Sequence, residues 1–426
     1  MKFLYKNSAL IEEKTITETA NTLNEYINHL NAVASKKNYE DNEASVNLPF
    51  DEELLKEVMN LKEKKVTKSL KYIFVIGIGG SNLGTKAIYD SLFGYYDSLE
   101  KERYPKIIFL DTQDTVVLSK IKKLINTLSS KEEILVNAIS KSGGTTETVA
   151  NLEVVYQVLR NKFGAIDDRI VITTDEGSKM QKAAEAKNIE VLNIPKKVGG
   201  RYSVFSAVGL FPLVASGFNI AELRRGAQNM RNVCLRKISE DNPAAISAAL
   251  IYLHYKQGKN INDNFIFLPQ LESLGKWYRQ LQGESIGKDG KGITPTVSMG
   301  STDLHSVGQL YLGGPKDKIT TFIYGENLQD QTSVPQKTAF NLVEVITGKP
   351  IQKIMDAIVG GVKKAYQNQT LPFMEIVLEG VSEESLGEFM QFKMIEIMCL
   401  GKLMGVNAFD QPQVELYKTE TKKILS

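Results

Sequence analysis

The chain has 426 residues, 42% hydrophobic and 24% charged, the balance of an ordinary globular protein of two to three domains. Its 52 basic and 50 acidic residues leave a net charge of +2, and no basic tract is interleaved with aromatics, which argues against nucleic acid as a partner. Cys234 and Cys399 are the only cysteines and His29, His254 and His305 the only histidines, which speaks against a disulfide framework and a multi-histidine metal site and fits a reducing cytoplasm.

The opening residues, MKFLYKNSALIEE, meet Glu12 and Glu13 before any long apolar run, so no secretory signal is expected. Residues 1–46 read as polar and helical, and a helix over Asp51–Lys64 leads into the first strand. Strands then alternate with helices. The expected strands are Tyr72–Gly77, Lys106–Asp111, Ile134–Ser140, Arg169–Thr173 and Glu190–Ile194, with helices at Leu83–Phe93, Val116–Leu128, Thr145–Lys162 and Glu176–Ala186. This alternation predicts a parallel sheet covered on both faces, with ligands beyond the carboxyl ends of its strands. Tyr202–Ala221 carries no charge over 20 residues, but Gly209, Pro212, Gly217 and Asn219 favour a buried core helix over a membrane span. Beyond it the chain turns helix-rich, with helices at Ala244–Gln257, Leu271–Gln280, Pro350–Tyr366 and Glu383–Met404. Sparser strands fall at Asn264–Leu268, Ile319–Tyr324 and Phe373–Leu378, and Val414–Leu425 closes the chain as a short helix. The pattern predicts a second α/β domain with a boundary near residue 197.

Two stretches of the first half have the make-up of an anion site. Lys71–Gly84, KYIFVIGIGGSNLG, runs from an apolar strand through Gly77, Gly79, Gly80 and Ser81 into a helix start, where bare N–H groups and the helix dipole favour negative charge. The stretch is no dinucleotide fingerprint, because Asn82 stands where the last glycine belongs. It is no nucleotide P-loop either, because Thr85 comes before Lys86. A phosphate that is held rather than transferred fits, and so does a βα turn that needs glycine only for packing. Ser140–Thr148, SKSGGTTET, ends a second strand of the same sheet in hydroxyls, which either cap a helix or converge with the first loop on a phosphate monoester.

Four further residues carry possible chemistry. Glu284, in LQGESIGKDGKG, is read as a carboxylate on a glycine-rich turn after a helix, a general base or a solvated loop glutamate. Arg201 follows Gly199 and Gly200 at the domain boundary, where it stabilises an oxyanion or makes a surface or interdomain ion pair. His305 is a proton shuttle or a structural histidine, and Lys418 by itself reads as a solvated charge.

Six stretches, in this order, resemble the glucose-6-phosphate isomerase (phosphoglucose isomerase) family: GIGGSNLG, SKSGGTTET, VGGRYSVFSAVG, QLQGESIGKDGKG, STDLHSVGQ and FDQPQVELYK. The resemblance runs from about Asn47 to Lys418. It implies two doubly wound α/β sandwich domains with parallel sheets. The organisation it implies is an arm over residues 1–46 packing with the second domain, a first sugar-isomerase domain over 47–196, a second over 197–408, and a closing motif and helix over 409–426. The implied reaction is aldose–ketose isomerisation of glucose 6-phosphate and fructose 6-phosphate, with no cofactor and no metal. The family's phosphate-binding hydroxyls fall on Ser81, Ser140, Ser142 and Thr145, with Gly80 and Lys141 in the same loops. Its base falls on Glu284, its enediolate-stabilising arginine on Arg201, its ring-opening histidine on His305, its lysine near the ring oxygen on Lys418 and a sugar-contacting glutamine on Gln411. In the family the histidine comes from the neighbouring subunit, which implies a homodimer with a shared site. Lys196, Gly144 and Gln413 depart from the family's pattern. An isomerase that also accepts mannose 6-phosphate, and a sugar-phosphate sensor without catalysis, share much of this signature. The sensor would not need Glu284, Arg201 and His305 together.

Overall fold

The structure is a computed structural model that describes residues 1–94, 96–237, 242–326 and 332–426. Its strands, in chain order, are β1 (Lys2–Leu4), β2 (Tyr72–Ile76), β3 (Lys106–Leu110), β4 (Ile134–Ile139), β5 (Ile170–Asp175), β6 (Glu190–Ile194), β7 (Ile261–Ile266), β8 (Thr294–Met299), β9 (Lys318–Gly325) and β10 (Phe373–Leu378). The helices are α1 (Glu13–Asn21), α2 (Asn24–Lys36), α3 (Glu52–Lys65), α4 (Leu83–Phe93), α5 (Thr115–Thr127), α6 (Thr146–Phe163), α7 (Lys179–Glu185), α8 (Ala207–Ala215), α9 (Ile220–Cys234), α10 (Pro243–Lys256), α11 (Glu272–Ile286), α12 (Gly308–Gly313), α13 (Ile351–Asn368), α14 (Glu383–Met404) and α15 (Val414–Leu425).

The first sheet has the order β3-β2-β4-β5-β6 and is parallel throughout. Its strands are apolar on both faces, and the two faces feed different cores. Ile73, Val75, Leu135 and Val171 pack on the side of α3, α4 and α8. Phe74, Ile76, Ile134, Val136 and Ile170 pack on the side of α5, α6 and α7. That is the doubly wound arrangement, and it explains why β2, YIFVI, reads as an unbroken apolar run and the other strands as largely apolar ones. The chain passes from β2 to β3 on one side and returns to β4 on the other. The loops after β2 and β4 therefore flank the point where the strand order reverses, which is where open α/β sheets bind ligands.

The second sheet has the order β1-β10-β9-β7-β8. One face, with Ile266, Ile319, Ile323 and Met374, joins the same large core as α10, α11 and α14; the other stacks Phe265, Phe267, Phe322 and Phe373 under Tyr311 and Tyr366. β7 to β10 are parallel, but β1 pairs antiparallel with β10, Phe3 opposite Ile376.

Several elements differ from expectation. The first residues are a strand and not helix, because their backbone completes an edge of the second sheet. Tyr202–Ala221 is not one helix. α8 ends at Ala215, Gly217 takes a left-handed φ of 97°, and Asn219 starts α9 by accepting from the N–H of Glu222. Every residue of α8 is buried, and among the described residues no helix is long and apolar enough to cross a membrane. β7 begins three residues before Asn264, and β8 was not foreseen. α11 runs on to Ile286, so Glu284 stands within a helix and not on a turn.

Candidate active site

Two loops meet at the carboxyl edge of the first sheet. In the first, Gly79 has a left-handed φ of 59°, and Gly79–Ser81 form a single tight turn before α4. Gly80 has no room for a side chain: a Cβ there would lie 2.1 Å from the carbonyl carbon of Gly200 and 2.5 Å from the amide nitrogen of Arg201. Ser203 braces this backbone contact, its Oγ donating to the Gly200 carbonyl at 2.7 Å. Ser81 is half-buried, and the neighbouring Asn82 is buried with both amide atoms lacking a protein partner.

In the second loop the Oγ of buried Ser140 lies 3.0 Å from Thr145 Oγ1. Thr145 holds the N-cap position of α6 but makes no capping bond, unlike Asp114 on α5 and Ser178 on α7. Its hydroxyl faces Ser140 instead, and first-turn N–H groups of α6 are left without it. Ser142 is exposed, and its Oγ accepts weakly from the N–H of Gly144 at 3.4 Å. The Lys141 ammonium donates to the carbonyls of Lys196 and Val198 at 2.7 and 2.8 Å; burial pushes its pKa down, partly opposed by Asp175.

Arg201 follows in the turn Gly200–Tyr202 and is 2% exposed. Its guanidinium makes five hydrogen bonds. Nε donates to Ser285 Oγ at 2.8 Å, and Nη2 to the carbonyls of Ala408 and Asp410 at 2.7 and 3.1 Å. Nη1 donates to Glu284 Oε2 at 3.1 Å and to Gln411 Oε1 at 2.8 Å. Nε and Nη2 fix the group, and Nη1 is the edge facing the half-buried Glu284.

Gln280, one helical turn before Glu284, donates from Nε2 to Glu284 Oε1 at 3.0 Å and lies close over Gly79. It thus joins the carboxylate to the first glycine loop. Its Oε1 is buried without a protein partner. Sequence reading missed Gln280 and Ser285, although their i, i+4 and adjacent spacing to Glu284 becomes meaningful once α11 is extended. The Ala408 and Asp410 carbonyls are backbone and carry no side-chain signal.

Arg201, Glu284 and Gln411 are thus hydrogen-bonded together, with Gly80 packed directly against the arginine's turn. Two predicted residues stand apart. His305 is exposed in the turn Thr302–His305 after β8, with no hydrogen bond or ion pair to Arg201 or Glu284. Lys418 pairs with Glu415 of its own helix at 2.7 Å, and α15 buries none of its residues. Among the described residues, no group of three His, Cys, Asp or Glu side chains is placed to share a metal ion.

A carboxylate beside a fixed guanidinium can move a proton while the guanidinium stabilises the negative charge that the transfer creates on a neighbouring oxygen. A glycine-rich loop with Ser81 and a hydroxyl-rich loop, both at one sheet edge, can hold an anion at a distance from that chemistry.

Comparisons with known proteins agree. The model of the family described as phosphoglucose isomerase matches residues 15–325. Glucose-6-phosphate isomerase of Methanocaldococcus jannaschii is 34% identical over 370 residues, covering 86% of each chain. That of Lactococcus lactis is 35% identical over 362 residues, covering 83% of this chain and 80% of the relative. Among solved structures, a hypothetical protein from Thermus thermophilus superposes over 100% of this chain and 99% of its own, with a TM-score of 0.86 and 29% identity. A glucose-6-phosphate isomerase from Chlamydia trachomatis shares the fold, with a TM-score of 0.79 at 20% identity over 97% of this chain and 86% of its own. With a family match across most of its length and relatives above 30% identity over more than four-fifths of it, the chain belongs to the phosphoglucose isomerase family.

Proposed function

We propose that the protein interconverts glucose 6-phosphate and fructose 6-phosphate through an enediolate, with Glu284 as the base. The observation that carries this is the contact of Arg201 Nη1 with Glu284 at 3.1 Å. It puts a fixed cation beside the only carboxylate on that face of α11. Glu284 takes the proton from the second carbon of the aldose and returns it to the first. Arg201, anchored through Nε and Nη2, presents Nη1 to the enediolate oxygen and stabilises the charge that develops there. Ser81, Ser140, Ser142 and Thr145 hold the phosphate, with the backbone of Gly80 and Lys141. This remote contact orients the reacting carbons. Gln411 contacts the sugar, and His305 and Lys418 open the ring by protonating its oxygen and accepting the hydroxyl proton.

The exposure of His305 within its own chain supports a homodimer in which each site takes this residue from the partner subunit. The test is a coupled assay for conversion of fructose 6-phosphate to glucose 6-phosphate by purified protein with and without a chelator. Turnover in both arms is expected. Binding of fructose 6-phosphate without conversion would make the protein a sensor, and turnover lost to the chelator would add a metal to the mechanism.

A further inference from the structure

The segment Pro195–Gly200 carries the chain from β6 to Arg201, and both phosphate loops touch it. Lys141 reaches it from the second loop. Its ammonium donates to the carbonyls of Lys196 and Val198, five and three residues before the arginine. Gly80 touches it from the first loop, backbone against backbone at Gly200. The base of Lys141 is fixed as well, since its carbonyl accepts from the N–H of Asp175 and that of Ser140 from Thr174 Oγ1 at 2.6 Å. The ammonium therefore ties a braced loop to the lead-in of the arginine. In this geometry it is occupied by main-chain oxygens and does not point at the phosphate position between the hydroxyls.

We propose that Lys141 is a positioning residue that transmits the seating of the substrate's phosphate to Arg201, so that binding at the remote end of the sugar sets the guanidinium beside the reacting carbons. The link presupposes the role given to Arg201 above. Its physical basis is that a lysine bridging two carbonyls holds the crossing segment in one register with the loop. Without it the loop still binds phosphate, but the arginine's turn is free to shift. A misplacement of about 1 Å at the reacting end costs rate rather than affinity for the handle.

The experiment compares two inert ligands on Lys141→Met, Lys141→Arg and Arg201→Met, all as full-length chains. Glucitol 6-phosphate has the phosphate handle and no acid group. 5-Phosphoarabinonate adds a carboxylate that mimics the enediolate. Binding stoichiometry with glucitol 6-phosphate counts the folded sites, so an unfolded fraction does not enter the result. For Lys141→Met, kcat is expected to fall about tenfold or more with KM within about threefold of wild type. Its affinity for glucitol 6-phosphate should be kept, and its preference for 5-phosphoarabinonate lost. Lys141→Arg, which still offers donors to both carbonyls, should recover most of that preference. If Lys141→Met does not fold, Lys141→Gln gives the same comparison.

Equal loss of affinity for both ligands, with KM raised, would make the ammonium a phosphate ligand and overturn the proposal. An unchanged preference in Lys141→Met alongside a lost one in Arg201→Met would overturn the link and leave the arginine's role standing. An unchanged preference in both would overturn the arginine's role and the link with it.

Discussion

Arg201 is held by acceptors from two parts of the chain, Ser285 and Glu284 on α11, and the stretch after α14 that supplies the carbonyls of Ala408 and Asp410 and the side chain of Gln411. A planar fork can satisfy so many acceptors at once; a lysine could not. Glu284 is bound on both oxygens, by Arg201 and by Gln280, so its orientation is set before substrate arrives. Glu284→Gln preserves that shape and removes the basicity. Turnover is expected to fall about a hundredfold or more, because a positioned base contributes on that scale. Binding of 6-phosphogluconate should be largely kept, and exchange of the substrate's second-carbon hydrogen with solvent should vanish. Normal exchange in the variant would remove Glu284 from the role of base.

At the level of elements, α11 is set in place from below by a buried polar cluster. Glu396 on α14 accepts from Tyr278 of α11 at 2.7 Å, from Ser247 of α10 at 2.5 Å and from Lys393 at 2.9 Å, all out of water. Tyr278→Phe removes one donor from a buried carboxylate and should cost about 1–3 kcal/mol in chemical denaturation. A cost near zero would mean that the cluster does not hold the helix. α10 is tied to the N-terminal arm by His254, whose Nε2 donates to the carbonyl of Ala9 at 2.8 Å. Burial, with Lys259 nearby, depresses its pKa from 6.5 to about 4, and its Nδ1 has no partner. The folded state therefore takes up this proton less readily than the unfolded one. The histidine's contribution is intact above about pH 6.5 and is lost as pH falls toward 4, on the order of 3 kcal/mol in full. His254→Gln should flatten that part of the stability–pH curve, measured against wild type by denaturation across the window.

The strands of the first sheet were legible because burial on both faces demands apolar, β-branched runs. β8 was not, because an edge strand reading TPTVSM tolerates a proline and hydroxyls. β1 is three residues long, too short for any period. Gly283 and Gly287 made Glu284 look like part of a loop. Gly283 lies within α11, where a Cβ would meet nothing nearer than Pro295 Cγ at 3.8 Å, so that glycine marks no turn. The site residues were nameable through motif resemblance, whereas the hydrogen bonds that join Arg201 to Glu284 and Gln411 depend on long-range packing that no local pattern encodes.

For the whole molecule, the proposed dimer with a shared site makes a quantitative prediction. Glu284→Gln and His305→Ala are each expected to be nearly inactive. When their subunits exchange at random, about half the dimers are mixed, and in each of these one site receives both intact residues. The mixture should recover about a quarter of wild-type activity under two-fold pairing. Exchange shown by mass spectrometry without recovery would place His305 in its own chain's site. The second sheet also dictates an order of events during synthesis. Phe3 pairs with Ile376, so a strand made among the first residues must wait for β10, made more than 370 residues later. Until then the arm has no edge to join. β10 in turn emerges to find its partner already present, and its free edge is covered as soon as it forms, which shortens the time in which that edge could recruit another chain.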